Sequence, residues 1–231
     1  MMLGARTGAW AKRGGGVPTA RDYVQDGLIA MWDGIENAGW GVHDPNATTW
    51  TELIGGETVN LSSGIEFGDD CARTTSDFSG SRWALRTEKE CQHMTAVFKT
   101  SSTEIQFVIL RLRTRSCIGA SGSSFGIGLR QSIPANNIVG NRFSISANYA
   151  TASSPTADSA YVNGVENTNR SAVNYANPVS RGTCIGGGYN SMPFFGEIFN
   201  IRLYSRALTA SEIAANYAID KARFNLPDKT S

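Results

Sequence analysis

A chain of 231 residues and 24.8 kDa is too long for a disulfide mini-domain and short for two full domains; its formal charge of +1 gives no whole-molecule field for nucleic acid or anionic lipid. A charged share of 18%, below the usual ~25%, excludes a disordered or coiled-coil chain, and a hydrophobic share of 41% suffices for a core. No apolar run approaches the ~18 residues of a membrane-spanning helix.

Residues 1–25 are expected to form an N-terminal arm, and residues 26–231 one folded domain. The arm holds Gly14, Gly15, Gly16 and Pro18, and it carries Arg6, Lys12, Arg13 and Arg21 against Asp22, a balance of +3. Neither a helical nor a strand period persists in it. Such a segment orders only against a partner. Trp10 is the expected anchor, and Arg6, Lys12 and Arg13 the polar contacts. With no apolar h-region near the start, a secretory signal peptide is not expected.

Alternation begins at Leu28, and Leu28 to Trp32 predicts a strand buried on both faces. Gly34 to Thr49, with Gly39, Gly41 and Pro45, reads as a loop. Strands are then predicted at Arg82–Leu85, Met94–Lys99, Ile105–Arg115, Phe125–Leu129, Phe143–Tyr149 and Ala160–Val162. In the Ile105–Arg115 run, Arg111, Arg113 and Arg115 would form a basic row. Asn163-Gly164 is a two-residue hairpin signal. Phe194–Tyr204 predicts the last strand, with Ile198, Asn200, Arg202 and Tyr204 on one face and Phe199, Ile201 and Leu203 on the other. A capping box, Thr209-Ala210-Ser211-Glu212, opens the one convincing helix, at Thr209–Asp220. Many strands and one helix predict an all-β sandwich. Cys71, Cys91, Cys117 and Cys184 include no CxxC pair and read as buried free thiols of a chain made in a reducing compartment.

The run Phe195-Gly196-Glu197-Ile198-Phe199-Asn200-Ile201-Arg202-Leu203-Tyr204-Ser205-Arg206-Ala207-Leu208-Thr209, with Glu212, Ile213 and Tyr217, resembles the closing signature of laminin-G-like, concanavalin A-like jelly rolls. Tyr161-Val162-Asn163-Gly164 is similar to that family's hairpin. Cys184-Ile185-Gly186-Gly187 is similar to its penultimate strand end. Gly27–Gly34, followed by Thr48–Leu53, resembles its first strand and return. The resemblance covers residues 26–224 and implies a jelly-roll β-sandwich with one short C-terminal helix. Gly4 to Trp10 resembles short leaders on virion-associated proteins of bacteriophages.

The fold also carries β-glucanases, which resemble one another in an E-x-D-x(x)-E strand; a retaining mechanism needs two carboxylates ~5–5.5 Å apart. No such strand is present. Glu197 is followed at alternate positions by Phe199 and Ile201, and Asp69-Asp70 would face opposite ways. Of the two histidines, His43 reads as solvated and His93 as a strand residue, and no G-x-S-x-G accompanies either. A non-enzymatic reading follows. Sugars are held by aromatic stacking and amide hydrogen bonds on rim loops. That chemistry selects Trp40, Tyr149, Tyr189 and Asn190 as carbohydrate contacts, whereas Trp32, Trp50 and Trp83 belong to the core. No cofactor is expected. The family's use of calcium makes Asp33, Asp69 and Asp70 the residues to examine, although their spacing is not diagnostic.

The expected function is therefore a lectin-like module displayed in several copies on a phage particle. Its arm would meet other virion proteins and its rim a host-surface polysaccharide, with no nucleic acid and no membrane insertion. The alternatives are a decoration or cementing protein without a sugar ligand, a bacterial surface or extracellular location, and, remotely, a glycoside hydrolase.

Overall fold

Short apolar–polar alternations separated by glycine-rich turns build seventeen strands in the computed structural model, which describes residues 16–79, 83, 85–111, 116–128, 131–151, 154, 156–172, 183–187 and 193–228. In chain order they are β1 (Leu28–Asp33), β2 (Thr49–Thr51), β3 (Thr58–Asn60), β4 (Ile65–Phe67), β5 (Ala72–Thr74), β6 (Leu85–Thr87), β7 (His93–Thr100), β8 (Gln106–Arg111), β9 (Ser116–Ala120), β10 (Ser124–Gly128), β11 (Gln131–Pro134), β12 (Arg142–Asn148), β13 (Ser159–Val162), β14 (Val165–Glu166), β15 (Ser171–Ala172), β16 (Thr183–Ile185) and β17 (Gly196–Tyr204). One sheet runs β14-β13-β12-β7-β17-β5-β4, with β1 also paired to β17; the other runs β15-β11-β10-β9-β8-β16-β6, and every pairing is antiparallel. β2 and β3 form a separate hairpin.

The two inner faces supply the core. Ala30, Trp32, Ala96, Phe98, Ile198, Ile201 and Leu203 come from the first sheet; Ile109, Ile118, Phe125, Ile127, Ile133 and Ile185 meet them from the second. Phe98 lies edge-on to both Phe125 and Phe194, at 6.2 and 5.8 Å between ring centroids. Trp32, Trp50 and Trp83 are fully buried, as expected of core residues. All four cysteines are buried, and no disulfide joins them.

Three sequence expectations change. The predicted strand Ile105–Arg115 is described as β8 over Gln106–Arg111, and Ser116 already begins β9, which pairs antiparallel with β8. Second, β17 carries a bulge at Phe199: Ile198 pairs with Phe98 and Asn200 with Val97, so one residue is extra. The bulge shifts the alternation. Ile198, Ile201 and Leu203 point into the sandwich, while Phe199, Asn200, Arg202 and Tyr204 serve the outer face.

The third change concerns the chain's ends. The helix α1 (Ala210–Phe224) starts at the expected Thr209 capping box but runs a turn past Asp220, and ends with Asn225 in the left-handed region. It covers the outer face of the first sheet, where Tyr217 and Phe224 pack with Val97 and Phe199. The expected boundary at residue 26 also moves. Thr19 and Asp22 form a capping box around a 3-10 turn, Ala20–Asp22, and Ala20 and Tyr23 are buried. Tyr23 donates its hydroxyl hydrogen to Asp220 Oδ1 at 2.8 Å, and the Val24 amide donates to Asn216 Oδ1 at 2.9 Å. The segment from Pro18 to Val24 is thus built into the domain, because the outer face needs it to cover charged groups on the helix.

Candidate functional site

The loop after β1 begins under tight constraint. A Cβ on Gly34 would stand 2.4 Å from the Asp70 carbonyl oxygen, so only glycine lets β1 turn away there. The loop is then pinned by two side chains. Glu36 Oε1 accepts from the Ala20 amide (2.9 Å) and from Arg223 Nη1 (3.1 Å), while its Oε2 accepts from the Gly41 amide (2.8 Å). Burial pushes the Glu36 carboxyl up, but these donors outweigh it and hold it below its ordinary range. Asn37 donates to the Asp44 carbonyl (2.7 Å) and accepts from the Asp44 amide (2.8 Å), closing the loop on itself.

Between those pins lies a tight turn, Gly39-Trp40-Gly41-Val42. The Val42 amide donates to the Gly39 carbonyl at 2.9 Å, and Gly41 has φ +71°, the positive value a type II turn asks of its third residue. Added Cβ atoms on Gly39 or Gly41 would meet nothing within 4 Å, so the turn stands in open space. Trp40 is half-buried, its inner side against the cluster that holds Met31 and Leu53. The Arg21 guanidinium lies over its ring, 4.2 Å from the centroid. Val42, which closes this turn, and Ile54, next to Leu53, are exposed apolar side chains. Trp40, chosen from sequence as a rim aromatic, therefore sits on a rigid turn at the surface. Arg21 was not foreseen. The signal for it was Thr19-Ala20-Arg21-Asp22, a capping pattern that fixes where Arg21 emerges.

The other expected contacts do not join it. Tyr149 is a correction: its ring is 1% exposed in the core, and its hydroxyl donates to the carbonyls of Cys117 (3.2 Å) and Ile127 (3.1 Å). A phenol with two backbone acceptors satisfies its polar tip inside the sandwich. Tyr189 and Asn190 lie outside the described residues, as do Arg6, Trp10, Lys12 and Arg13 of the arm and Arg113 and Arg115 of the basic row.

Beneath the helix lies a buried polar network. Arg202 donates to both oxygens of Asp220, at 2.6 and 2.7 Å, and stacks 3.9 Å over the Tyr23 ring. Asn200 bridges from Arg202 to Asp33, and Asp33 also accepts from Arg223 Nη2 at 2.7 Å. Burial raises the Asp33 carboxyl against the lowering effect of Arg223. Such a carboxyl could serve as a general acid, but here all its contacts are internal. Of the carboxylates to examine for calcium, Asp33 is committed to Arg223 and Asn200 and Asp70 pairs with Arg142 at 2.7 Å; no group of three or more His, Cys, Asp or Glu side chains placed to hold a metal occurs among the described residues.

The two histidines sit in different surroundings. His43 is exposed, its Nδ1 3.0 Å from the Ile35 carbonyl oxygen. His93 is buried, with Nδ1 2.7 Å from Asn148 Oδ1 and Nε2 2.8 Å from Thr95 Oγ1. Burial lowers its imidazole to about 3, so it is neutral.

A laminin G family model described as the concanavalin A-like lectin/glucanases superfamily matches residues 55–214. No curated protein is significantly similar in sequence. Among solved structures, Trypanosoma rangeli sialidase in complex with sialic acid is similar at a TM-score of 0.57 and 15% identity, over 90% of this chain and 34% of that one. The receptor-binding domain of botulinum neurotoxin type G is similar at 0.53 and 11%, over 84% and 52%. The chain thus spans about a third of the sialidase and half of the neurotoxin domain, and at these identities the likeness is one of fold.

Proposed function

Because the chain belongs to the concanavalin A-like lectin/glucanases superfamily, we propose that it is a non-catalytic carbohydrate-binding module whose contact surface is the Trp40 turn. One observation carries this reading: an indole held on a two-glycine turn that Glu36 and Asn37 fix from behind. A rigid aromatic costs little entropy to bind with, and its face offers a sugar ring C–H contact. The commitment of Asp33, Glu36 and Asp220 to internal donors favours binding over hydrolysis, since a glycosidase needs two carboxyl groups aimed at one bond.

The module would be displayed on a phage particle. Residues 1–15, with Arg6, Trp10, Lys12 and Arg13, would attach it to other virion proteins in several copies, the avidity offsetting weak single-site binding. The test is a bacterial polysaccharide array probed with the full chain and with Trp40→Ala. Binding that falls at least tenfold in the variant supports the reading. A blank array moves the protein to a decoration or cementing role. Release of reducing sugar from β-glucans would make it a hydrolase.

A further inference from the structure

We infer that the Trp40 turn recognises sugars that carry a carboxylate, with Arg21 as the group that receives it. The inference rests on the carbohydrate-binding reading and adds the ligand's chemical class. Arg21 is an exposed side chain delivered by the 3-10 turn Ala20–Asp22, and among the described residues it has no carboxylate partner. The acids around it are committed elsewhere. Asp22 accepts from the amide and the hydroxyl of Thr19, at 2.7 and 3.0 Å. Asp26 pairs with Arg206, and Glu36 is buried and neutralised by Arg223. What the Arg21 guanidinium has is the Trp40 ring.

That arrangement is a weak contact poised for a stronger one. An exposed cation–π pair is worth little, whereas a bidentate arginine–carboxylate pair is among the stronger polar contacts. A sugar acid brings both halves of the exchange. Its C–H face replaces the guanidinium on the indole, and its carboxylate accepts two hydrogen bonds from the displaced guanidinium a few ångströms away. A neutral sugar would displace Arg21 without repaying it. The backbone on both sides is held through one residue: Glu36 accepts from Ala20, beside Arg21, and from Gly41, beside Trp40. The spacing of cation and ring is therefore set before any ligand arrives.

The test uses calorimetric titration of the full chain with 3′-sialyllactose, digalacturonate and, as the neutral control, lactose. Each is repeated with Arg21→Gln, Arg21→Lys and Trp40→Ala, and thermal melting confirms folding of each variant. The expected result is binding of at least one acidic sugar tenfold or more tighter than lactose. Arg21→Gln should abolish that preference while leaving lactose bound at least as tightly, since no guanidinium then has to leave the indole, and added salt should weaken the acidic sugar alone. Arg21→Lys should restore it only in part, lacking the planar fork. Lactose bound as well as the acidic sugars, through Trp40 but not Arg21, overturns this inference and leaves the binding module standing. An acid preference that survives Arg21→Gln also overturns it. Failure of all three sugars to bind, together with a blank polysaccharide array, overturns both.

Discussion

At the scale of single residues, the buried charges beneath the helix govern how substitutions behave. Asp220→Asn keeps the shape but leaves Arg202 as a buried cation short of its anion. Breaking one side of a buried pair costs about 3–5 kcal/mol, so urea denaturation should show a loss of that order. Tyr149→Phe should be milder, about 0.5–1.5 kcal/mol for the hydrogen bonds to Cys117 and Ile127, with no change on a glycan array. His93 sets a pH dependence. Its imidazole titrates at about 3 when folded against an ordinary value near 6.5, so below that value the unfolded chain binds a proton that the folded chain refuses. Stability should therefore fall as pH drops from 7.5 to 5, by up to about 1.4 kcal/mol per unit. Denaturation curves at these two pH values should differ clearly for the native chain and much less for His93→Gln.

At the scale of elements, the N-terminal segment and the C-terminal helix form one unit, although 197 positions separate Tyr23 from Asp220. Truncation should show this. Deleting residues 1–15 keeps the contacts of Pro18 to Val24 and is the reference for the longer deletion. Deleting residues 1–25 removes buried Ala20 and Tyr23, the amide that binds Asn216 and the one that binds Glu36. That loss of several kcal/mol, against a total of about 5–15, should lower the melting temperature by 10 °C or more in a thermal scan. Equal melting of the two truncations would mean that the segment only rests on the helix.

At the scale of the whole molecule, the sandwich uses its two faces differently. Its inner faces form an apolar core that needs no specific polar partner, and its outer face under α1 is a polar network in which Asp33, Glu36, Asp220, Arg202 and Arg223 hold the two chain ends together. The Trp40 turn grows from that network through Glu36. One carboxylate thus ties Ala20, Arg223 and the Gly41 amide of the turn together.

The sequence by itself determined the fold class, the core tryptophans, the start of the helix and the Asn163-Gly164 hairpin. Each rests on local chemistry: alternation of period two, a capping box, a turn that demands left-handed residues at φ +51° and +73°. Trp40 was legible for the same reason, since glycines on either side mark an exposed turn. Tertiary structure decided what depends on residues distant in the chain. The bulge at Phe199 follows from pairing with β7, which no count along one strand reveals. Tyr149 lies inside because the carbonyls of Cys117 and Ile127 accept its hydroxyl hydrogen. Residues 18–24 fold because Asp220, Asn216 and Glu36 offer acceptors that a glycine-rich segment, read alone, does not announce.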